Sequence, residues 1–276
     1  MIGQIAGTAG HSLPGRLSRL MAVTDRPLKL ESMGNTRSRA TQPETGLRLA
    51  AARKSFADGF ERVLASPEGT LPQLFHDLSG RKRGFALEGG AMGATLLDEF
   101  GSPGEAGRLG RLLEGRSSAE RFLIALGAGM ASARAGKSFA WMPAELCSAE
   151  RGAVADGYGF HQAFYSAQRF LGRGFPARPG KWGARYDHGL GRGLCFAAGG
   201  DGETVTAVVG RIPPNRRESL WRGVGTASAF AGGAKCAQCC GNIRAGRFKP
   251  DFQAGIEHGA QMATMLARST TEATLA

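Results

Sequence analysis

Long apolar runs are missing from this 276-residue chain, and no stretch approaches the ~18 consecutive apolar residues of a membrane-spanning helix. The run from Leu20 to Val23 is far too short for the apolar core of a secretory leader, so a soluble, cytoplasmic protein with no membrane partner is expected. Cysteine is scarce: five residues, odd in number and unevenly spaced, do not describe a secreted disulfide framework. Tyrosine and tryptophan number three each, which leaves few platforms for stacking nucleic-acid bases. Lysine is also rare, 7 residues against 28 arginines, and no basic run exceeds the three residues Arg81-Lys82-Arg83. The net charge of +12 therefore reads as a solvated basic surface, with nucleic acid the weaker reading.

What is present is ordinary in most respects. Hydrophobic residues at 42% and charged residues at 21% exclude global disorder, and the length suits one large or two small domains. Half of the net charge falls in residues 1–55, where nine Lys and Arg face three Asp and Glu. Residues 1–45 lack periodicity and read as a flexible basic arm, 46–268 as one all-α domain, and 269–276 as a disordered tail. Apolar residues recur at helical spacing from Leu47 until Ser66-Pro67 stops the run. Further helices are predicted over Phe85 to Phe100, Ser117 to Ala135, one or two within Ala144 to Leu171, then Ser219 to Ala231 and Gln253 to Arg268. Ser117 and Glu120 stand at the spacing of a capping box. Only Thr204 to Val209 is β-prone.

Glycine is the outlier, 43 residues or about twice average usage. Small residues recur inside the helical segments at Gly59, Gly89, Gly127, Gly157, Gly189, Gly223 and Gly255, in steps of 30 to 38 residues. The mean step of about 33 matches one helix–turn–helix repeat. A helical glycine costs about 0.8–1.0 kcal/mol relative to alanine, so seven of them call for a compensating gain, such as close approach of neighbouring backbones. The fold class predicted is an all-α array of helical hairpins with that period, an open solenoid or a closed α/α toroid.

Several motifs fail on inspection. Gly136-Lys137-Ser138 ends like a phosphate loop, but the position five residues before Gly136 is Ala131, inside a helical pattern. Four Gly-x-Gly pairs lack the third small residue of a dinucleotide fingerprint, showing Ser132, Gln162, Leu194 and Ser228 instead. No cofactor is implied. Cys236, Cys239 and Cys240 include a C-x-x-C spacing but lack a second pair for a zinc site, so buried thiols are the plainer reading. Asp156-Gly-Tyr-Gly-Phe-His161 and Tyr186-Asp187-His188-Gly-Leu-Gly-Arg192 gather acids, imidazoles and a guanidinium in two Gly-rich segments. They would supply either an acid–base site or a satisfied polar network that locks two helical hairpins.

Gly157-Tyr-Gly-Phe-His161-Gln-Ala-Phe, Asp187-His-Gly-Leu-Gly-Arg192-Gly-Leu-Cys-Phe196 and Leu220-Trp221-Arg-Gly-Val-Gly-Thr-Ala-Ser-Ala-Phe-Ala-Gly-Gly233 resemble successive motifs of a bacterial family of unknown function often labelled enediyne biosynthesis proteins. Glu88-Gly-Gly-Ala-Met-Gly-Ala-Thr-Leu-Leu-Asp98 is similar to its earlier segment, so the likeness runs from about residue 47 to 268. The chain departs from that family at Cys195, at His188, where a Gln-like residue is usual, and in its cysteine cluster. The resemblance implies an accessory protein of specialised-metabolite biosynthesis that binds a biosynthetic enzyme, a carrier protein or a hydrophobic small molecule. If it has a reaction, the transferable residues are Asp156, His161, Asp187 and Arg192, with Glu88, Tyr158 and Trp221 as binding candidates. His161 would then be the acid or base, Asp156 or Asp187 its orienter, and Arg192 the stabiliser of developing negative charge.

Overall fold

A computed structural model describes residues 43–101, 107–138, 141–166, 175–241 and 249–275. Among them are nine α-helices and no strand: α1 (Pro43–Ala65), α2 (Gly80–Phe100), α3 (Arg108–Leu113), α4 (Ser118–Arg134), α5 (Arg151–Tyr165), α6 (Gly183–Ala197), α7 (Gly202–Arg211), α8 (Arg217–Gly241) and α9 (Lys249–Leu275). Residues 1–42 of the expected basic arm lie outside the described residues, while Pro43, Glu44 and Thr45 open α1. At the other end α9 runs to Leu275, through residues that the sequence assigned to a tail; Glu272, Ala273 and Leu275 are good helix formers.

Local chemistry sets the helix ends. Ser117 accepts from the backbone N–H of Glu120, whose carboxylate accepts in return from the N–H of Ser117, a complete capping box at the start of α4. The β-prone run Thr204 to Val209 is helical in α7. Asp201 caps it through the Thr204 N–H, and Val205, Val208 and Val209 turn one buried face to the core. The Ala-rich stretch before Gly136-Lys137-Ser138 is the body of α4, with no open phosphate cradle.

The long helices pack mainly on their neighbours in chain order, α1 on α2, α2 on α4, then α5, α6, α8 and α9, and α9 also touches α2. Glycine makes these crossings close. A Cβ on Gly127 would stand 2.1 Å from the carbonyl oxygen of Glu88, on Gly157 1.9 Å from that of Leu126, and on Gly189 1.8 Å from that of Asp156. Gly223 and Gly255 face the carbonyls of His188 and Arg222 in the same manner. In all five crossings the carbonyl belongs to the residue just before the recurring glycine of the preceding helix, Gly89, Gly127, Gly157, Gly189 or Gly223. The second glycine of each pair looks the other way: Gly129, Gly159, Gly191 and Gly225 face the carbonyls of Val154, Tyr186, Leu220 and Phe252 on the helix that follows. Two residues of helix turn by about 200°, so one Gly-x-Gly serves both neighbours. Backbones this close are within reach of weak Cα–H···O contacts, which offset part of the cost of a helical glycine.

Candidate functional site

The glycine register also aligns the buried polar side chains. The residue before the recurring glycine (Gly89, Gly127, Gly157, Gly189) is Glu88 on α2, Leu126 on α4, Asp156 on α5 and His188 on α6, and all four line one small pocket. Arg192, Thr226 and His258, each three residues after the recurring glycine of its helix (Gly189, Gly223, Gly255), line it too. Phe122, Phe230 and Met262 supply apolar walls. The pocket is about 20 Å³, room for about one water molecule.

Within this shell the charges are paired. Arg192 donates from Nη1 to Asp156 Oδ1 at 2.8 Å and from Nη2 to Glu88 Oε1 at 3.3 Å, joining α6 to both α5 and α2. His188 Nδ1 lies 2.5 Å from Asp156 Oδ2, which assigns the proton on that nitrogen as the one donated to the carboxylate. His188 Nε2 is 3.0 Å from Thr226 Oγ1, whose hydroxyl also has the carbonyls of Arg222 and Gly255 within 3.2 Å. The His188 ring meets His258 edge-on at 6.1 Å, and the Arg192 guanidinium lies over Phe160 at 5.3 Å.

The two carboxylates respond oppositely to this setting. Burial raises Glu88, and with the nearby Asp156 charge it outweighs the help of Arg192, so the carboxyl is pushed up to about 7. Burial acts on Asp156 as well, but His188 and Arg192 overcome it and hold this acid down at about 2. His258 is lowered chiefly by burial, with His188 and Arg192 adding to the effect and Asp156 opposing it.

The other residues singled out from the sequence lie elsewhere. His161 lies outside the pocket lining; it is buried, stacks on Tyr165 at 4.6 Å, and its Nε2 has no hydrogen-bond partner among the described residues. Burial and the Arg134 charge lower it to about 3. The expected orienters do not reach it, since Asp156 holds His188 and Asp187 belongs to a second cluster. There Arg216 grips Asp187 Oδ1 at 2.5 Å, Arg178 meets Oδ2 at 3.0 Å, and Arg216 also donates to the carbonyl of Pro176, tying the start of α6 to the turn before α8. Tyr158 donates its hydroxyl to the carbonyl of Lys137, and Trp221 is buried with its ring edge-on to Phe252. Cys236, Cys239 and Cys240 fall in the last turns of α8, and their side chains lie outside the described residues. No group of three His, Cys, Asp or Glu side chains among the described residues is arranged to hold a metal.

Thr226 and His258 escaped the sequence reading, although superimposing the recurring glycines Gly223 and Gly255 would have found them at one position. Five residues separate Asp156 and His161, which puts them about 140° apart around α5. His188 and Arg192 are four apart and share a face of α6.

The model of a family described as "Protein of unknown function (DUF1702)" matches residues 17–276, so this chain belongs to that family. No curated protein and no solved structure matches it.

Proposed function

We propose that this protein is a non-catalytic accessory protein of specialised-metabolite biosynthesis of the enediyne or polyketide type, a helical scaffold that binds a partner enzyme, a carrier protein or a hydrophobic intermediate. One observation carries the scaffold reading: Glu88, Asp156, Arg192 and His188 satisfy one another between helices beside a pocket with room for about one water. A substrate of more than a few atoms does not fit there. The uniform offset of the glycine crossings supports reading the helices as repeated units of about 33 residues, and the contact of α9 with α2 supports a closed toroid over an open solenoid. The link to enediyne-type pathways rests on the motif resemblance.

A second reading has an observation of its own. Asp156, His188 and Thr226 form a carboxylate–imidazole–hydroxyl chain at 2.5 and 3.0 Å, the arrangement by which an enzyme readies a hydroxyl or a water. In that enzyme His188, rather than His161, is the acid or base acting on a pathway intermediate.

The test is metabolite profiling of the native host carrying His188→Gln or His161→Ala beside a full deletion, with protein abundance checked in each. A glutamine amide still donates to Asp156 and still meets Thr226, so the helices remain tied. The scaffold reading expects the normal product from both variants and its loss on deletion. Accumulation of the deletion's precursor by an abundant, folded His188→Gln protein establishes the enzyme reading instead. A deletion that leaves every metabolite unchanged overturns the biosynthetic role.

A further inference from the structure

Two of the three tryptophans of the chain stand at one surface cleft. Trp141, from the segment before α5, and Trp182, at the start of α6, border a cleft of about 300 Å³. Both indoles are half-buried, whereas Trp221, the third, is fully packed into the core. The floor is Val154 and Ala155 of α5, both buried. Arg151 and Lys181 stand on the rim, exposed, and neither has an ion-pair partner among the described residues. No Asp or Glu among the described residues lines the cleft. The nearest acid in sequence, Glu150, turns away to Arg121 and to the backbone N–H of Cys147, both at 2.8 Å.

Each element of this set selects a ligand property. Indole faces and an apolar floor favour a flat, apolar body, which they cover at little conformational cost. A cation already lies beside each ring, Lys181 at 5.6 Å from the Trp182 centroid and Lys137 at 5.7 Å from that of Trp141. Lys137 is neutralised by Glu99, so the charge left over comes from Arg151 and Lys181. Two cations with no ion-pair partner among the described residues, at the mouth of a cleft that no described acid lines, complement an anionic head group. The volume lies at the lower end of the range for small-molecule sites, about 300–1,000 Å³, and suits a body of two or three fused or conjugated units.

We infer that this cleft binds an organic anion with a flat, conjugated apolar body, its acid group held by Arg151 and Lys181 and its body laid between Trp141 and Trp182. The inference rests on the scaffold reading in treating the protein as a binder of small molecules. Its test is separate from the metabolite experiment. Naphthalene-2-carboxylate and its neutral methyl ester are titrated into the full-length protein, following heat and tryptophan fluorescence. The same titrations are run on Trp182→Ala and on the double variant Arg151→Glu/Lys181→Glu. The acid is expected to bind saturably, the ester about tenfold more weakly or worse, and both variants to lose about tenfold or more for the acid while melting as the parent does. Because both rim cations are exposed, a milder Arg151→Gln/Lys181→Gln pair serves if charge reversal disturbs folding; it too must weaken the acid and leave the ester unchanged. Absence of saturable binding by the folded parent, equal binding of acid and ester, or unchanged affinity in the variants overturns the site. In that event a host that makes its product with His188→Gln and loses it on deletion still upholds the scaffold reading.

Discussion

The buried centre of the protein and the cleft over α5 use arginine and aromatic rings to opposite ends. At the centre Arg192 is held by two carboxylates and a phenyl face, in space for about one water. At the cleft Arg151 and Lys181 keep their charge in solvent beside two half-covered indoles. A charge removed from water must be met by an opposite charge in good geometry, so an interior network is complete by necessity and has little left to offer a ligand. Surface cations bear no such obligation. Pairing, more than residue type, separates the part of this molecule that holds helices together from the part that is free to bind.

The sharpest way to break the centre is through its backbone. Gly189→Ala drives a methyl group to 1.8 Å from the Asp156 carbonyl, and neither helix can yield without parting α5 from α6. A loss of about 3 kcal/mol or more in urea unfolding, or no folded protein at all, is expected. Gly210→Ala, with nothing within 4 Å, should instead be neutral or stabilise by up to about 1 kcal/mol. Equal effects of the two would show that glycine is there for composition alone. Next in size is Asp156→Ala, which leaves Arg192 and His188 buried with half their partners. It should cost about 3–5 kcal/mol at neutral pH by the same assay, and a cost below about 1 kcal/mol would mean that the network holds nothing.

Smaller effects appear in the pH dependence of stability. Folded Glu88 keeps its proton up to about pH 7 and the unfolded carboxyl loses it near 4.5, so its stabilising contribution is full below 4.5 and is lost as pH rises to about 7. His161 has the opposite sign. It stays neutral in the fold down to about pH 3 but protonates near 6.5 when unfolded, so stability is lost as pH falls from 6.5 toward 3. Between pH 4.5 and 6.5 the two oppose each other. Glu88→Gln should therefore steepen the loss on acidification, and His161→Phe should flatten it, as urea midpoints across that window would report. Identical profiles for both variants and the parent would refute the assignment of these groups. Least of all should the cleft matter to stability: Arg151→Glu/Lys181→Glu is expected to shift unfolding by no more than about 0.5 kcal/mol. A larger loss would make those cations part of the frame and erase the contrast between the two regions.

Much of this architecture is written locally. The stop at Ser66-Pro67 and the Ser117–Glu120 capping box act within a few residues, and each marks a helix end in the fold. The apolar spacing from Leu47 marks α1 but not the face its first turns bury, since Leu47 is 71% exposed and Leu49 and Ala52 are buried instead. The recurrence of glycine was equally plain, because a residue that costs stability in every helix marks a contact of the backbone itself. Thr204 to Val209 shows where local preference yields: β-branched residues form a helix once Asp201 caps it and the core takes the valines. The sequence by itself thus determined most of the long helices and the glycines along which they meet, while α3 and α6 went unpredicted and α8 and α9 run past their expected ends. Only the tertiary structure decided that Asp156 answers to His188 rather than His161, that Asp187 belongs to Arg216 and Arg178, and that two distant tryptophans share a cleft. The reason is geometric: residue spacing sets the angle at which a side chain leaves its own helix, while the partner it meets depends on which other helix has been packed against that face.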